Sequence, residues 1–151
     1  MLNSVLDETI NYFIMNLTVR QQGGFNYIEE GQGEILVLLH GLFGALSNWE
    51  HVVRHFSSRY RVIIPLIPIY EVPLKQANVA GLVEFIKEFI QYKALDRYTL
   101  VGNSLGGHIA LIYTLENPNQ ISRLVLTASS GLYENAMGGS FIKRSNYDYI
   151  A

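Results

Sequence analysis

One stretch, from Tyr98 to Ala110, constrains the fold of this chain more than any other. Its first four residues, Tyr-Thr-Leu-Val, favour a β-strand, and an apolar run of helical character continues to Leu115. Between the two, residues 102–106 read Gly-Asn-Ser-Leu-Gly, which matches the pattern G-x-S-x-G. A strand, a glycine-rich turn and a helix in this order are the context in which that pattern forms a nucleophile elbow.

The turn would place a serine hydroxyl at the carboxyl end of a strand and at the start of a helix. Gly102 and Gly106 stand where a tight turn leaves little room for a Cβ atom, and Gly107 is a third small residue where helix meets sheet. The free N–H groups of a helix N-terminus favour the negative charge that develops in acyl transfer. We therefore predict that Ser104 is a nucleophile; the alternative is an ordinary glycine-rich loop.

Strand and helix signals alternate from residue 35 to residue 128. Apolar strands are predicted at 35–39, 61–64, 98–101 and 123–128, and helices at 47–56, 77–92 and 105–117. Apolar strands without alternation are typical of a sheet that is covered on both faces. The order of elements predicts the α/β class, with a mostly parallel sheet and helices on both faces.

The remaining parts of the chain carry weaker signals. Residues 4–15 have a loosely helical spacing, 17–19 and 25–28 predict short strands, and 29–33 predict a turn from their composition. Ser47 and Glu50 have the spacing of a capping box and predict that a helix begins there.

The composition limits which partners and which cellular compartment we expect for this protein. The chain has 151 residues, a net charge of −2 and no cysteine, so we expect neither a nucleic acid nor a membrane as partner and no disulfide. Only 16% of the residues are charged and 49% are hydrophobic, where about a quarter charged is usual. This excess of core-type residues suggests part of a larger protein. The first residues lack the basic start of a signal peptide, so we expect a cytoplasmic protein.

A second glycine motif precedes the first one. Residues 40–44 read His-Gly-Leu-Phe-Gly and follow the predicted strand at 35–39. In this order the two motifs resemble the α/β-hydrolase fold family, over about residues 25–131. The resemblance implies one domain over 1–151 with part of a three-layer αβα sandwich, and a lid or a disordered tail beginning at 132–151. The form Gly-Asn-Ser-Leu-Gly-Gly is similar to that of lidded esterases and carbon–carbon-bond hydrolases.

The resemblance implies a role for each motif residue. Ser104 would be the nucleophile, and the backbone N–H groups of Leu42 and Leu105 would form the oxyanion hole. His40 would orient its loop and would not act as the base; a histidine that is buried by chance is the alternative. The residues that support the two motifs would be Gly41, Gly102, Asn103 and Gly106.

The other histidines suggest no chemistry. His51 and His55 are four residues apart on a predicted helix, a spacing that can hold a metal, but no third ligand lies near in sequence. We interpret the pair as a solvated helix face. His108 follows the serine by one helical turn, and we expect it to pack within the fold. We predict no metal and no cofactor.

Two features depart from the family pattern. The loop at 64–70 reads Ile-Pro-Leu-Ile-Pro-Ile-Tyr, where the family usually has Asp with Pro and Gly, so the pocket would differ in shape. The family's triad runs in the order Ser, acid, His. After Ser104 the chain has only Glu116, Glu134 and Asp148 as carboxylates and only His108 as histidine. The resemblance therefore implies the nucleophile half of an enzyme, inactive alone because a serine without its base is a poor nucleophile.

Three functions remain open. The first is a serine hydrolase that acts on an ester, a related acyl group or a carbon–carbon bond of a small molecule. The second is a non-catalytic binding module on the same fold, and the third is an acyltransferase. The strand at 123–128 would have an open edge if no later strand covered it, so we expect the 151-residue chain alone to self-associate.

Overall fold

A computed structural model describes residues 17–42, 48–69 and 78–132. These residues form a six-stranded sheet in the order β1-β2-β4-β3-β5-β6. The strands are β1 Val19–Gln22, β2 Phe25–Glu30, β3 Glu34–Leu39, β4 Tyr60–Pro65, β5 Tyr98–Asn103 and β6 Ile121–Thr127, and the helices are α1 Glu50–Phe56, α2 Val79–Tyr92 and α3 Leu105–Glu116. Strands β3 to β6 are mutually parallel, and β1 and β2 are antiparallel to their neighbours. The predicted α/β class with a mostly parallel sheet is confirmed.

The central strands bury side chains on both faces of the sheet. On one face, Val37 and Leu39 of β3 join a core cluster that includes residues of α2 and α3. On the other face, Leu36 and Leu38 pack with Trp49 and with Val53 of α1. Because successive residues of a strand point to opposite faces, burial on both sides requires the unbroken apolar runs seen in the sequence. The helices on both faces follow from the same pattern.

The helices begin close to where the sequence places them, with one difference. Helix α2 begins after Asn78, whose side chain accepts a hydrogen bond of 2.9 Å from the N–H of Gly81. Helix α1 begins at Glu50, after Trp49, and has no side-chain cap. Ser47, the predicted cap, lies outside the described residues, as do the predicted helix at 4–15 and the segment after Leu132. Within the described ranges, no helix is long and apolar enough to cross a membrane.

The predicted turn at 29–33 starts two residues too early, because β2 continues through Glu29 and Glu30. The carboxylate of Glu29 is nearly buried and contacts Nη2 of Arg61 at 2.5 Å and Nζ of Lys93 at 2.7 Å. Burial acts to raise the pKa of Glu29, but the bonds to Lys93 and Arg61 prevail and hold it below its usual value. These long-range partners let a glutamate occupy an inner strand position, where composition alone suggested a turn.

Strand β6 lies at the edge of the sheet and pairs, among the described strands, with β5. Leu124 and Leu126 pack partly against the core on the side of α2 and α3. Val125 alternates with them and is 44% exposed, and Leu115 near the end of α3 is 73% exposed. Apolar side chains on a strand whose outer edge has no partner favour pairing with another chain.

We predict that the 151-residue polypeptide, produced alone, self-associates through β6. Val125→Lys should shift it towards the monomer, because a charge on an edge strand opposes strand pairing. Val19→Lys is the matched control, since Val19 lies on the opposite edge strand, β1, and is 38% exposed. Sedimentation at micromolar concentration measures the effect. A wild-type chain that stays monomeric, or a Val19→Lys effect equal to that of Val125→Lys, would contradict the prediction.

Candidate active site

The turn between β5 and α3 holds Ser104 in an unusual backbone conformation. Its φ is 52° and its ψ is −117°, in the positive-φ half of the conformational map, which residues with a side chain rarely adopt. A Cβ atom built on Gly41 would lie 3.0 Å from the Cβ of Ser104 and 3.5 Å from its Oγ. The Ser104 side chain therefore faces Gly41, which follows β3. The predicted elbow geometry of strand, sharp turn and helix is present.

Glycine is required on both sides of Ser104 because backbone atoms pass too close for a side chain. A Cβ on Gly102 would lie 2.4 Å from the carbonyl oxygen of Gly106. A Cβ on Gly106 would lie 2.3 Å from the carbonyl oxygen of Leu39 and 2.6 Å from that of His40. These distances are far inside van der Waals contact, so the first turn of α3 packs directly on the end of β3.

His40 is buried at the end of β3 and uses both ring nitrogens. Its Nε2 accepts a hydrogen bond of 2.9 Å from the N–H of Ile67, in the segment after β4. Nδ1 must then carry the proton, and it lies 2.8 Å from the carbonyl oxygen of Gly41, to which it donates. Burial lowers the pKa of His40, against the opposing effect of the Gly41 bond. His40 is thus a neutral side chain that ties Gly41 to Ile67, and neither nitrogen is open to a proton from Ser104.

The two predicted oxyanion donors lie on the two segments that meet at Ser104. Leu105 is the first residue of α3, so its N–H belongs to the unpaired first turn of a helix. Leu42 follows Gly41, and its side chain is 40% exposed. Strands β3 and β5 are neighbours with Leu39 paired to Gly102, so both loops leave the same edge of the sheet. Asn103, the residue before the serine, donates from its Nδ2 to Oγ1 of Thr127 at 3.0 Å.

Other residues weighed as catalytic or metal-binding lie elsewhere. Glu116 is at the far end of α3, where its carboxylate pairs with Lys87 at 3.0 Å. His51 and His55 are exposed on α1. The ring of His108 packs against Gly131, where a Cβ would lie 2.6 Å from it. Glu134 and Asp148 are not among the described residues. In the part that the structure describes, no three His, Asp or Glu side chains are grouped to hold a metal.

The turn after β6 contacts the serine and was not singled out from the sequence. The N–H of Ser104 donates to the carbonyl oxygen of Thr127 at 3.0 Å, and the N–H of Ser130 donates to the carbonyl oxygen of Ser104 at 3.2 Å. One feature of the sequence could have indicated this contact. The run Thr-Ala-Ser-Ser-Gly at 127–131 is small and polar, and it stands at the end of β6, the strand beside the elbow strand β5.

Comparison with known proteins relates the chain to a family. A model of the alpha/beta hydrolase fold matches residues 34–144. The chain is 30% identical over 128 residues to the 2-hydroxy-6-oxo-6-phenylhexa-2,4-dienoate hydrolase of Burkholderia cepacia, covering 77% of the chain and 45% of that protein. It is 29% identical over 108 residues to monoacylglycerol lipase abhd6-A of Xenopus laevis, covering 68% of the chain and 32% of that protein.

A solved structure gives the same relation. The chain is similar, with a TM-score of 0.73 and 39% sequence identity, to an alpha/beta hydrolase enzyme from the metagenome of sediments from the lagoon of Mar Chica, Morocco. The match covers 87% of this chain and 59% of that one. The chain thus spans less than two thirds of each of these three relatives.

We predict that His40 makes stability fall at acidic pH. An unfolded histidine titrates near 6.5, and burial lowers this pKa in the folded protein. Between the two values the unfolded chain binds more protons, so the stabilisation is full above the unfolded pKa and is lost as the pH falls towards the folded one. The free energy of unfolding of the full-length gene product should therefore decrease from about pH 7.5 to about pH 5.

The variant His40→Gln should be less stable and should show a shallower pH dependence, because glutamine does not titrate in this range. His51→Gln, on the exposed face of α1, should keep the wild-type slope. Denaturant unfolding at several pH values measures both. Equal slopes for wild type and His40→Gln would show that His40 is not held neutral by the fold.

Proposed function

Because this chain belongs to the α/β-hydrolase fold family, we propose that it carries Ser104 as the nucleophile of a serine hydrolase. The substrate would be a small molecule with an ester, a related acyl group or a carbon–carbon bond next to a carbonyl. The observation that carries the proposal is the left-handed backbone of Ser104 between β5 and α3, with its side chain facing Gly41. Strained backbone of this kind is concentrated at functional sites.

The chemistry would begin with attack of the Ser104 Oγ on a carbonyl carbon. The tetrahedral intermediate carries its negative charge on the former carbonyl oxygen, which the N–H groups of Leu105 and Leu42 would stabilise. Gly41 has no side chain, and this leaves space beside the Oγ for the reacting carbonyl. The loss of one such donor typically raises the barrier by about 3 kcal/mol, so the shape of the loop after β3 matters as much as the serine.

We place the base and the acid of the triad outside this chain. His40 has both nitrogens engaged, and His108 packs against Gly131 along the elbow helix. In this fold the triad partners follow the serine in the order acid, then histidine. Without a base, the Ser104 hydroxyl is a weak nucleophile, so the 151-residue chain alone should be inactive.

The relatives support a carbonyl compound as substrate. One relative's name specifies an oxo-dienoate, and another's specifies a monoacylglycerol. A keto group and an ester share an electrophilic carbonyl carbon, which is the atom that a serine hydroxyl attacks. The proposal includes a cytoplasmic location.

We predict that a fluorophosphonate probe labels the full-length gene product at Ser104. Ser104→Ala should abolish the labelling and reduce hydrolysis of p-nitrophenyl butyrate to near background, because no other hydroxyl occupies the elbow. Ser122→Ala, on the exposed part of β6, is the control and should label normally. Gel fluorescence and ester hydrolysis measure the two effects.

Persistent labelling of Ser104→Ala would refute the assignment of the nucleophile. A wild-type protein that binds an ester substrate and is not labelled would favour the binding module. Preferential transfer of the acyl group to an alcohol or amine, in place of water, would favour the acyltransferase.

A further inference from the structure

The turn after β6 holds the backbone of Ser104 from both sides. The N–H of Ser104 donates to the carbonyl oxygen of Thr127 at 3.0 Å. The carbonyl oxygen of Ser104 accepts from the N–H of Ser130 at 3.2 Å and from its Oγ at 3.3 Å. The same oxygen also accepts from the N–H groups of Gly107 and His108, at 3.0 and 3.2 Å. One peptide oxygen thus joins the elbow, its helix and the β6 turn.

The side chain of Thr127 extends this contact to the residues before the serine. Its Oγ1 accepts from Nδ2 of Asn103 at 3.0 Å, and the same Nδ2 lies 3.3 Å from the Thr127 carbonyl oxygen. The Thr127 hydroxyl can donate to the carbonyl oxygen of Gly102 at 3.4 Å. The last three residues before α3 are therefore all bonded to Thr127 or to its turn.

The turn also fits closely on the start of α3. A Cβ on Gly107 would lie 2.7 Å from the Cβ of Ser129, and a Cβ on Gly131 would lie 2.6 Å from the His108 ring. Ala128 has a φ of 47°, which is positive like that of Ser104. A residue keeps such a conformation only when its surroundings determine it. Ala128 lies in the chain between Thr127 and Ser130, the two residues whose groups bond to Ser104.

We infer that Thr127 and Ser130 are positioning residues of the nucleophile. The inference rests on the proposed function of Ser104 and assigns these two side chains a part in it. Their hydroxyl groups hold the backbone at 102–104 and so set the direction of the Ser104 Oγ towards the reacting carbon. A small error in that direction lowers the rate of attack, since catalysis requires near-attack geometry. In this role they act on the rate of attack and not on KM.

The test compares isosteric variants in the full-length gene product. Thr127→Val removes the hydroxyl that bonds Asn103, and Ser130→Ala removes the hydroxyl that bonds the Ser104 carbonyl. Thr99→Val is the matched control, because Thr99 Oγ1 makes a similar cross-strand contact of 3.3 Å with Ser122 at the other end of the β5–β6 pair. Each protein is assayed for p-nitrophenyl butyrate hydrolysis, for the rate of fluorophosphonate labelling and for Tm.

We expect Thr127→Val and Ser130→Ala to lower kcat and the labelling rate by roughly threefold to tenfold each, because the Ser104 Oγ would adopt the near-attack geometry less often. KM should not change, and Tm should match that of Thr99→Val. Thr127→Ser and Ser130→Thr, which keep a hydroxyl, should restore kcat. If Thr127→Val does not fold, Ser130→Ala tests the inference on its own.

Rates for both variants equal to that of Thr99→Val would overturn the inference, as would a loss in KM alone. A fall in kcat that Thr127→Ser and Ser130→Thr do not restore would also overturn it. The proposed function is judged separately by Ser104→Ala. Ser104→Ala could abolish labelling while Thr127→Val and Ser130→Ala leave the labelling rate unchanged. In that case Ser104 remains the nucleophile and only the positioning role is rejected.

Discussion

The close approach of α3 to the end of β3 is the contact on which the candidate site depends. Gly106 lies where any Cβ atom would collide with the carbonyl oxygens of Leu39 and His40. This approach brings Ser104, the first N–H of α3 and Gly41 to one edge of the sheet. A larger residue at position 106 would separate α3 from β3. It would also move Ser104 away from the loop after β3, which is proposed to supply one N–H group of the oxyanion hole. The geometry of the site is thus set by backbone packing before any catalytic side chain is considered.

The two ends of the sheet are held by different kinds of interaction. At the end away from Ser104, Glu29 is bonded to Arg61 at the start of β4 and to Lys93 after α2. At the end that carries Ser104, the fold uses uncharged hydrogen bonds, such as that from the N–H of Ile67 to His40. A neutral His40 stabilises the loop and adds no charge beside the hydroxyl. The helix N-terminus can then act on developing negative charge without a competing ion pair.

Much of the fold follows from local pattern, and the exceptions have physical causes. The structure confirms the strands β3 and β4, which were predicted from their unbroken apolar runs. It also confirms helix α2, which was predicted from its one apolar face. The hairpin of β1 and β2 was predicted only as two short strands, at 17–19 and 25–28. The pair Gly23 and Gly24, both with positive φ, is a recognised signal for a two-residue hairpin turn. Joining the two strands across it would have given their antiparallel pairing.

The elements of the site that were missed depend on contacts that are distant in sequence. Thr127 and Ser130 lie more than twenty residues from Ser104 along the chain, and polar residues after a strand are common in ordinary loops. Their bonds to the elbow follow only when β6 is known to lie beside β5, with Thr127 opposite Asn103. Glu29 is similar, since its partners Arg61 and Lys93 come from a later strand and from the end of a helix. Sequence patterns identify the segments, and tertiary pairing decides which of their polar groups meet.

The most direct test of the account is a crystal structure of the full-length gene product after reaction with a small fluorophosphonate. We predict a covalent bond from the Ser104 Oγ to phosphorus. One phosphoryl oxygen should accept hydrogen bonds from the N–H groups of Leu105 and Leu42 at about 2.7 to 3.1 Å. An adduct on another residue, or one on Ser104 whose oxygen points away from both N–H groups, would contradict it.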